Sequence, residues 1–101
     1  MQQYINDAQQ RILASLQILA GNELLGLSPS ELARELKAGA STVTRDLANL
    51  KEAGYAEQIA ETGRWRLGPK LVQIGIKFGD ALARAESRVG EIHQRYTRTA
   101  S

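Results

Sequence analysis

The stretch ASTVTRDLANLKEA gathers Ser41, Thr42, Thr44, Arg45 and Asn49, whose hydroxyl, guanidinium and carboxamide groups donate and accept hydrogen bonds but include no base to activate a nucleophile. At about 100° per residue, Leu47 and Leu50 fall within about 40° of Val43, while Ser41, Arg45, Asn49 and Glu52 point roughly opposite. One face is apolar and the other is polar. A guanidinium can chelate guanine, a carboxamide can pair bidentately with adenine, and small hydroxyls hold phosphates or touch bases. This row has the chemistry to read the major groove of double-stranded DNA, with Arg45 as the leading base reader. A second group, Arg64, Arg66 and Lys70, contains three basic residues with no acid among them, whereas Glu52, Glu57 and Glu61 cluster upstream. That segment is expected to be locally basic and to contact phosphates.

Other chemistry finds little support. The chain has one histidine and no cysteine, so His93 lacks a second soft ligand for a metal and a partner for a hydrolytic triad. No metal site, cofactor or catalytic residue is expected, and no enzyme activity. Gly75 and Gly79 lie on an apolar helical stripe and not between a strand and a helix, which excludes a phosphate-binding loop. Their spacing suits close helix packing.

The elements that must carry these residues follow from periodicity and punctuation. Ala8, Ile12, Leu13, Leu16 and Leu19 recur at helical spacing over Asp7 to Ala20, with Gly21-Asn22 as a stop. Ser28-Pro29-Ser30-Glu31 supplies a cap, a proline at the first helical position and a capping-box glutamate. A second helix follows to about Lys37, with Leu32, Ala33 and Leu36 inward. The Lys37–Ala40 turn contains glycine, and Ala40 or Ser41 is expected to cap a third helix running to Ala53, with Gly54 as its left-handed stop. Asp46 flanks the inner face of this helix and is expected to pair with Arg34 or Lys37. Helix, short turn and helix make a helix-turn-helix.

Tyr55 to Ile59 then reads as a strand, Glu61-Thr62-Gly63 as a turn, and Arg64 to Leu67 as a returning strand. Tyr55 becomes the hinge between helix and wing. Alternation puts Trp65 with Leu67 on one face and Arg64 with Arg66 on the other, making Trp65 a core residue. After Gly68-Pro69 a last helix runs to about Tyr96. Its stripe Leu71, Ile74, Phe78, Leu82, Ala85, Val89 and Ile92 is heptad-like. The fold class is therefore mainly α with a small β wing. It divides into a winged helix-turn-helix over 1–69 and a linker or dimerisation helix over 70–101, with a frayed end from Thr97 to Ser101.

The run SPSELARELKAGASTVTRDLANLKEAGYAEQ followed by GRWRLGPKLVQIG resembles the N-terminal DNA-binding domain of IclR-type transcriptional regulators. The likeness covers roughly Arg11 to Phe78, and its most specific part is Arg66-Leu67-Gly68-Pro69, ahead of the linker helix. The resemblance implies a winged helix that regulates transcription. Asp46 departs from the leucine-like residue common there. Members usually carry a larger effector-binding domain after the linker helix; these 101 residues leave no room for one, so no small-molecule effector is carried over.

Composition agrees with one compact domain plus an appendage: 101 residues, 43% hydrophobic, with a net charge of only +2. Charge this small permits a nucleic-acid partner without demanding one. The absence of cysteine, of an apolar leader and of any apolar run near ~20 residues makes a cytoplasmic protein with no membrane contact the expectation. The first five stripe positions of the last helix are expected to cover the three-helix core. From Leu71 to Ile92 the helix would measure ~33 Å, so Val89 and Ile92 would outrun that core and call for a homodimer. Paired recognition helices would then read an inverted repeat. Two other readings stay open: a winged helix that binds protein through its last helix, and a single-stranded RNA binder. The second would want exposed aromatics, and aromatic residues make up only 5% of the chain.

Overall fold

The computed structural model describes residues 2–98; of the frayed end expected from Thr97 to Ser101, Thr97 instead closes the last helix and residues 99–101 lie outside the described ones. Among these residues no helix is long and apolar enough to cross a membrane. A short 3-10 turn, Gln2–Tyr4, precedes α1 (Asp7–Leu19), α2 (Pro29–Leu36), α3 (Ala40–Ala53), β1 (Ala56–Gln58), β2 (Trp65–Leu67) and α4 (Pro69–Thr97).

Local chemistry accounts for most boundaries. Asn6 caps α1 by accepting from the Gln9 N–H at 3.0 Å. The Ser28 capping box closes on both sides, with Glu31 N–H donating to Ser28 Oγ at 3.1 Å and Ser28 N–H donating to Glu31 Oε1 at 2.8 Å. In the helix-turn-helix turn the left-handed residue is Lys37 (φ 54°), and Gly39 caps α3 without a side-chain bond where Ala40 or Ser41 was expected. Val43 N–H reaches Gly39 O at 3.1 Å, so Ala40 and Ser41 already lie inside the first turn. Gly54 ends α3 at φ 81° as expected of a left-handed stop.

The core is Leu19, Leu32, Ala33, Val43, Leu47, Leu50, Ala56 and Trp65, flanked by Ile12, Leu16, Leu27, Leu36, Tyr55 and Leu67. Fully burying one such leucine stabilises the fold by roughly 1.5–3 kcal/mol. On α1 the inward row is Ile12, Ser15, Leu16 and Leu19. Leu13 and Ala8, expected among the apolar positions of this helix, are exposed, and the buried Ser15 satisfies its hydroxyl on Arg11 O at 2.9 Å. The wing is an antiparallel pair in the register Ala56↔Leu67, Glu57↔Arg66 and Gln58↔Trp65. Leu27 adds a bridge to Trp65 on the far side, exchanging two N–H···O bonds of 2.8 Å.

The last helix departs from expectation more sharply. It runs unbroken for 29 residues with none buried, and Leu71 alone of its stripe is half-buried. Ile74, Phe78, Leu82 and Ala85, expected to cover the core, are exposed, Phe78 at 68%. At its root a Cβ on Gly68 would stand 2.3 Å from Gly54 O, so the chain enters α4 in close contact with the turn that ends α3. With no residue of α4 buried, the molecule is elongated, 71 × 42 × 21 Å.

Candidate nucleic-acid interface

Helix α3 buries Val43, Asp46, Leu47 and Leu50 and turns Ser41, Thr44, Arg45, Ala48 and Asn49 to solvent, with Thr42 half-buried beside the turn. Arg45 has no ion pair or side-chain hydrogen bond among the described residues, so its guanidinium donors face water. Asn49 lies back along the helix, donating one amide hydrogen to Arg45 O at 2.9 Å and keeping its carbonyl oxygen and a second N–H. Thr44 donates its hydroxyl to Ala40 O at 2.9 Å, which leaves that oxygen an acceptor in this rotamer. A phosphate wants donors, so Thr44 would have to rotate to meet one.

Asp46 pairs with neither Arg34 nor Lys37. Its carboxylate is gripped by Arg11 of α1, Nε to Oδ2 at 2.5 Å and Nη2 to Oδ1 at 3.0 Å. The hydrogen bond to Asp46 is the main cause holding the Arg11 guanidinium above its ordinary pKa. Burial decides this choice, because the Asp46 carboxylate lies on the buried side of α3 within reach of the partly buried Arg11, while Arg34 and Lys37 are exposed. Arg34 and Lys37 are thereby left without an ion-pair partner among the described residues. Together with Arg45, Lys51 and Lys70 they make a set of free cations spread over α2, the turn, α3 and the start of α4. Arg34, Lys37 and Lys51 were not singled out as contacts from the sequence; their signal was spacing alone.

The wing is not locally basic as expected. Of the acids that lie just upstream in sequence, Glu57 returns opposite Arg66 once the hairpin forms, and Glu31 of α2 meets Arg64. Arg66 Nε donates to Glu57 Oε1 at 2.8 Å across the strand pair, and Nη1 reaches Glu23 O at 3.4 Å. Arg64 donates from Nε to Leu25 O at 3.0 Å and from Nη2 to Gly26 O at 3.0 Å and Glu31 Oε1 at 2.7 Å. Both side chains bind the α1–α2 loop to the wing, and each keeps one terminal nitrogen uncommitted. Glu31 is held below its ordinary pKa first by the Ser28 backbone N–H, then by the Ser28 hydroxyl, with Arg64 adding to both. Lys70 is exposed, and its stem covers the Gly54 turn, where a Cβ on Gly54 would meet Lys70 Cβ and Cδ at 3.1 Å.

No model of a known protein family matches the chain. Among curated proteins it is similar to the glycerol operon regulatory protein of Streptomyces coelicolor, 36% identical over 72 residues that cover 70% of this chain and 28% of that one. Among solved structures it superposes on an IclR family transcriptional regulator from Brucella abortus with a TM-score of 0.66 and 25% identity, covering 75% of this chain and 28% of that one. The chain carries an IclR-type winged helix domain. Pseudomonas aeruginosa HmgR is a further neighbour, with a TM-score of 0.60 and 32% identity over 69% of this chain and 28% of its own. This IclR-type winged helix thus spans under a third of the length of each of these three relatives.

Proposed function

We propose that the domain binds double-stranded DNA sequence-specifically as the reading part of a transcriptional regulator in the cytoplasm, without catalytic activity. Helix α3 enters the major groove. Arg45 reads a base edge, Asn49 reads or supports a second, and Ser41, Thr42 and Thr44 with Lys70 contact the backbone. Arg64 and Arg66 reach phosphates through their uncommitted nitrogens. The observation that carries this reading is the outward row Ser41, Arg45, Asn49 on a helix whose inner face is buried, with the Arg45 guanidinium unpaired among the described residues.

The proposed division is a DNA-binding unit over 1–69 and an oligomerisation helix over 70–101. The exposed stripe supports a homodimer through α4: Phe78 is 68% exposed, Val89 66%, Leu82 50%, Ile92 48% and Ile74 47%, with Leu71 at its root. Apolar surface of this extent on a projecting helix is stabilised by a second helix of its kind. Titrating the protein against a randomised duplex pool and sequencing the bound fraction tests the function. The expected result is an enriched inverted repeat with affinity falling steeply as salt rises. A bound fraction with the composition of the input pool would refute sequence reading.

A further inference from the structure

We infer that Arg11 and Asp46 are positioning residues for base reading, their bidentate pair setting the roll of α3 against α1 and so the direction in which Arg45 and Asn49 are presented. The inference rests on the proposed role of α3.

Asp46 follows Arg45 directly and lies one turn from Asn49 and Thr42 along the helix. The rest of the α3 inner face is Val43, Leu47 and Leu50, whose burial is favourable in proportion to area and carries no direction. Such a face tolerates a small roll. Two N–H···O bonds from a planar guanidinium fork to one carboxylate do not, because both distance and angle must be kept. The fork also sits on a fixed support. Helix α1 is capped by Asn6, anchored by the fully buried Leu19, and packed on α2 and the wing. The Asp46 side chain is 7% exposed and the Arg11 side chain 24%, so the carboxylate is shielded from water while the guanidinium keeps a solvent-facing edge.

Stability alone is a poor account of such a pair, since replacing a buried ion pair with apolar residues of similar volume is often neutral. Geometry is the better account, because a recognition constellation has to be held within about 0.5 Å and 10–20° to work. The Arg45 guanidinium stands at the end of a long side chain, and a roll of the helix displaces it further than it displaces the backbone.

The test compares the parent chain with Arg11→Leu/Asp46→Leu. The protein has no cysteine, so Gln9→Cys and Lys51→Cys introduce the only two spin-label sites, one on α1 and one on α3, both exposed. The double variant is expected to keep its helical content. It is expected to broaden the α1–α3 distance distribution and to lower the affinity ratio of a selected duplex over a random one by roughly tenfold, the worth of one base contact. Its salt slope on random duplex should stay that of the parent. A distance distribution as narrow as the parent's in the folded variant overturns the inference, and so does a broadened one with an unchanged ratio. An equal loss on every duplex with a shallower salt slope would make Arg11 a phosphate contact instead, which also overturns it. Arg11→Lys keeps the charge and loses the fork, and carries the same expectation if the double variant does not fold. Failure of the underlying reading is visible separately, as a parent chain that shows no preference between duplexes.

Discussion

Replacing Gly68 with alanine adds a methyl group where the ends of α3 and α4 meet. The new carbon would lie 2.3 Å from Gly54 O and 3.0 Å from both Gly54 C and Ala56 N, all backbone atoms. Restoring ordinary contact requires a shift of about 1 Å. Neither side yields cheaply. Gly54 holds the left-handed stop of α3 and donates to Lys51 O at 2.9 Å, while Gly68 N–H is tied to Tyr55 O at 2.9 Å. Overpacking of this kind costs about 1–3 kcal/mol, and backbone on the far side puts the cost near the upper figure. Gly68 itself has φ −85° and ψ 157°, which alanine adopts freely, so the stiffer unfolded chain returns roughly 0.4–1 kcal/mol. The net loss is about 2 kcal/mol, equivalent to roughly 8–16 °C in the melting midpoint of a domain this size. Thermal unfolding followed by circular dichroism and by fluorescence of the buried Trp65 measures it. Gly90→Ala is the matched control: it meets open space on the exposed helix and should gain about 1 kcal/mol of helix stability. A Gly68→Ala midpoint at or above the parent's would refute the close approach of the Gly68 and Gly54 backbones.

Arg45→Ala should cost about 1–3 kcal/mol of specific affinity and relax preference at one base pair without changing the fold, measured on duplexes altered one position at a time. An equal loss on all sequences would make Arg45 a phosphate clamp. Replacing both Arg64 and Arg66 with alanine should flatten the slope of log affinity against log salt by about 0.9 for each phosphate that is no longer neutralised; an unchanged slope confines both arginines to their internal partners. The intact chain should sediment as a dimer at tens of micromolar (~10–100 µM), and Leu82→Glu/Val89→Glu as a monomer. A monomeric parent, or two dimers, would remove α4 from the interface. Because the Glu31 pKa is lowered in the folded state, its contribution is present above the ordinary value of 4.5 and is lost as pH falls through the depressed one. Acid unfolding of Glu31→Gln should therefore show a weaker pH dependence below 4.5 than the parent, and an identical profile would contradict the capping role.

What could be read from the residues in order was what neighbours in the chain decide among themselves. The Ser28–Glu31 box, the proline opening α2, the left-handed Gly54 and the alternation that buries Trp65 and leaves Arg64 and Arg66 off its face each involve groups within a few positions. Their energetics are settled before any distant segment arrives. The same holds for the outward row of α3, since helical periodicity fixes which side chains oppose Val43 and Leu47. Even here a local choice was missed: Gly39 caps α3 in place of Ala40 or Ser41, because Val43 N–H takes Gly39 O and draws both residues into the first turn.

The partners of the charges were another matter. Arg11 and Asp46 are 35 positions apart, Arg64 and Glu31 33 apart, and each pairing depends on which helix or loop crosses which. Charge type says that such residues attract, but several acids lie within reach of each arginine until the crossing is known. Hairpin closure likewise turned upstream Glu57 into the direct neighbour of Arg66, so a segment that is basic when read along the chain is neutralised in space. The direction of α4 was hidden for the same reason. Its stripe states only that one face is apolar, and whether that face meets its own domain or stays exposed depends on the course of the chain beyond Gly68, which no local pattern encodes.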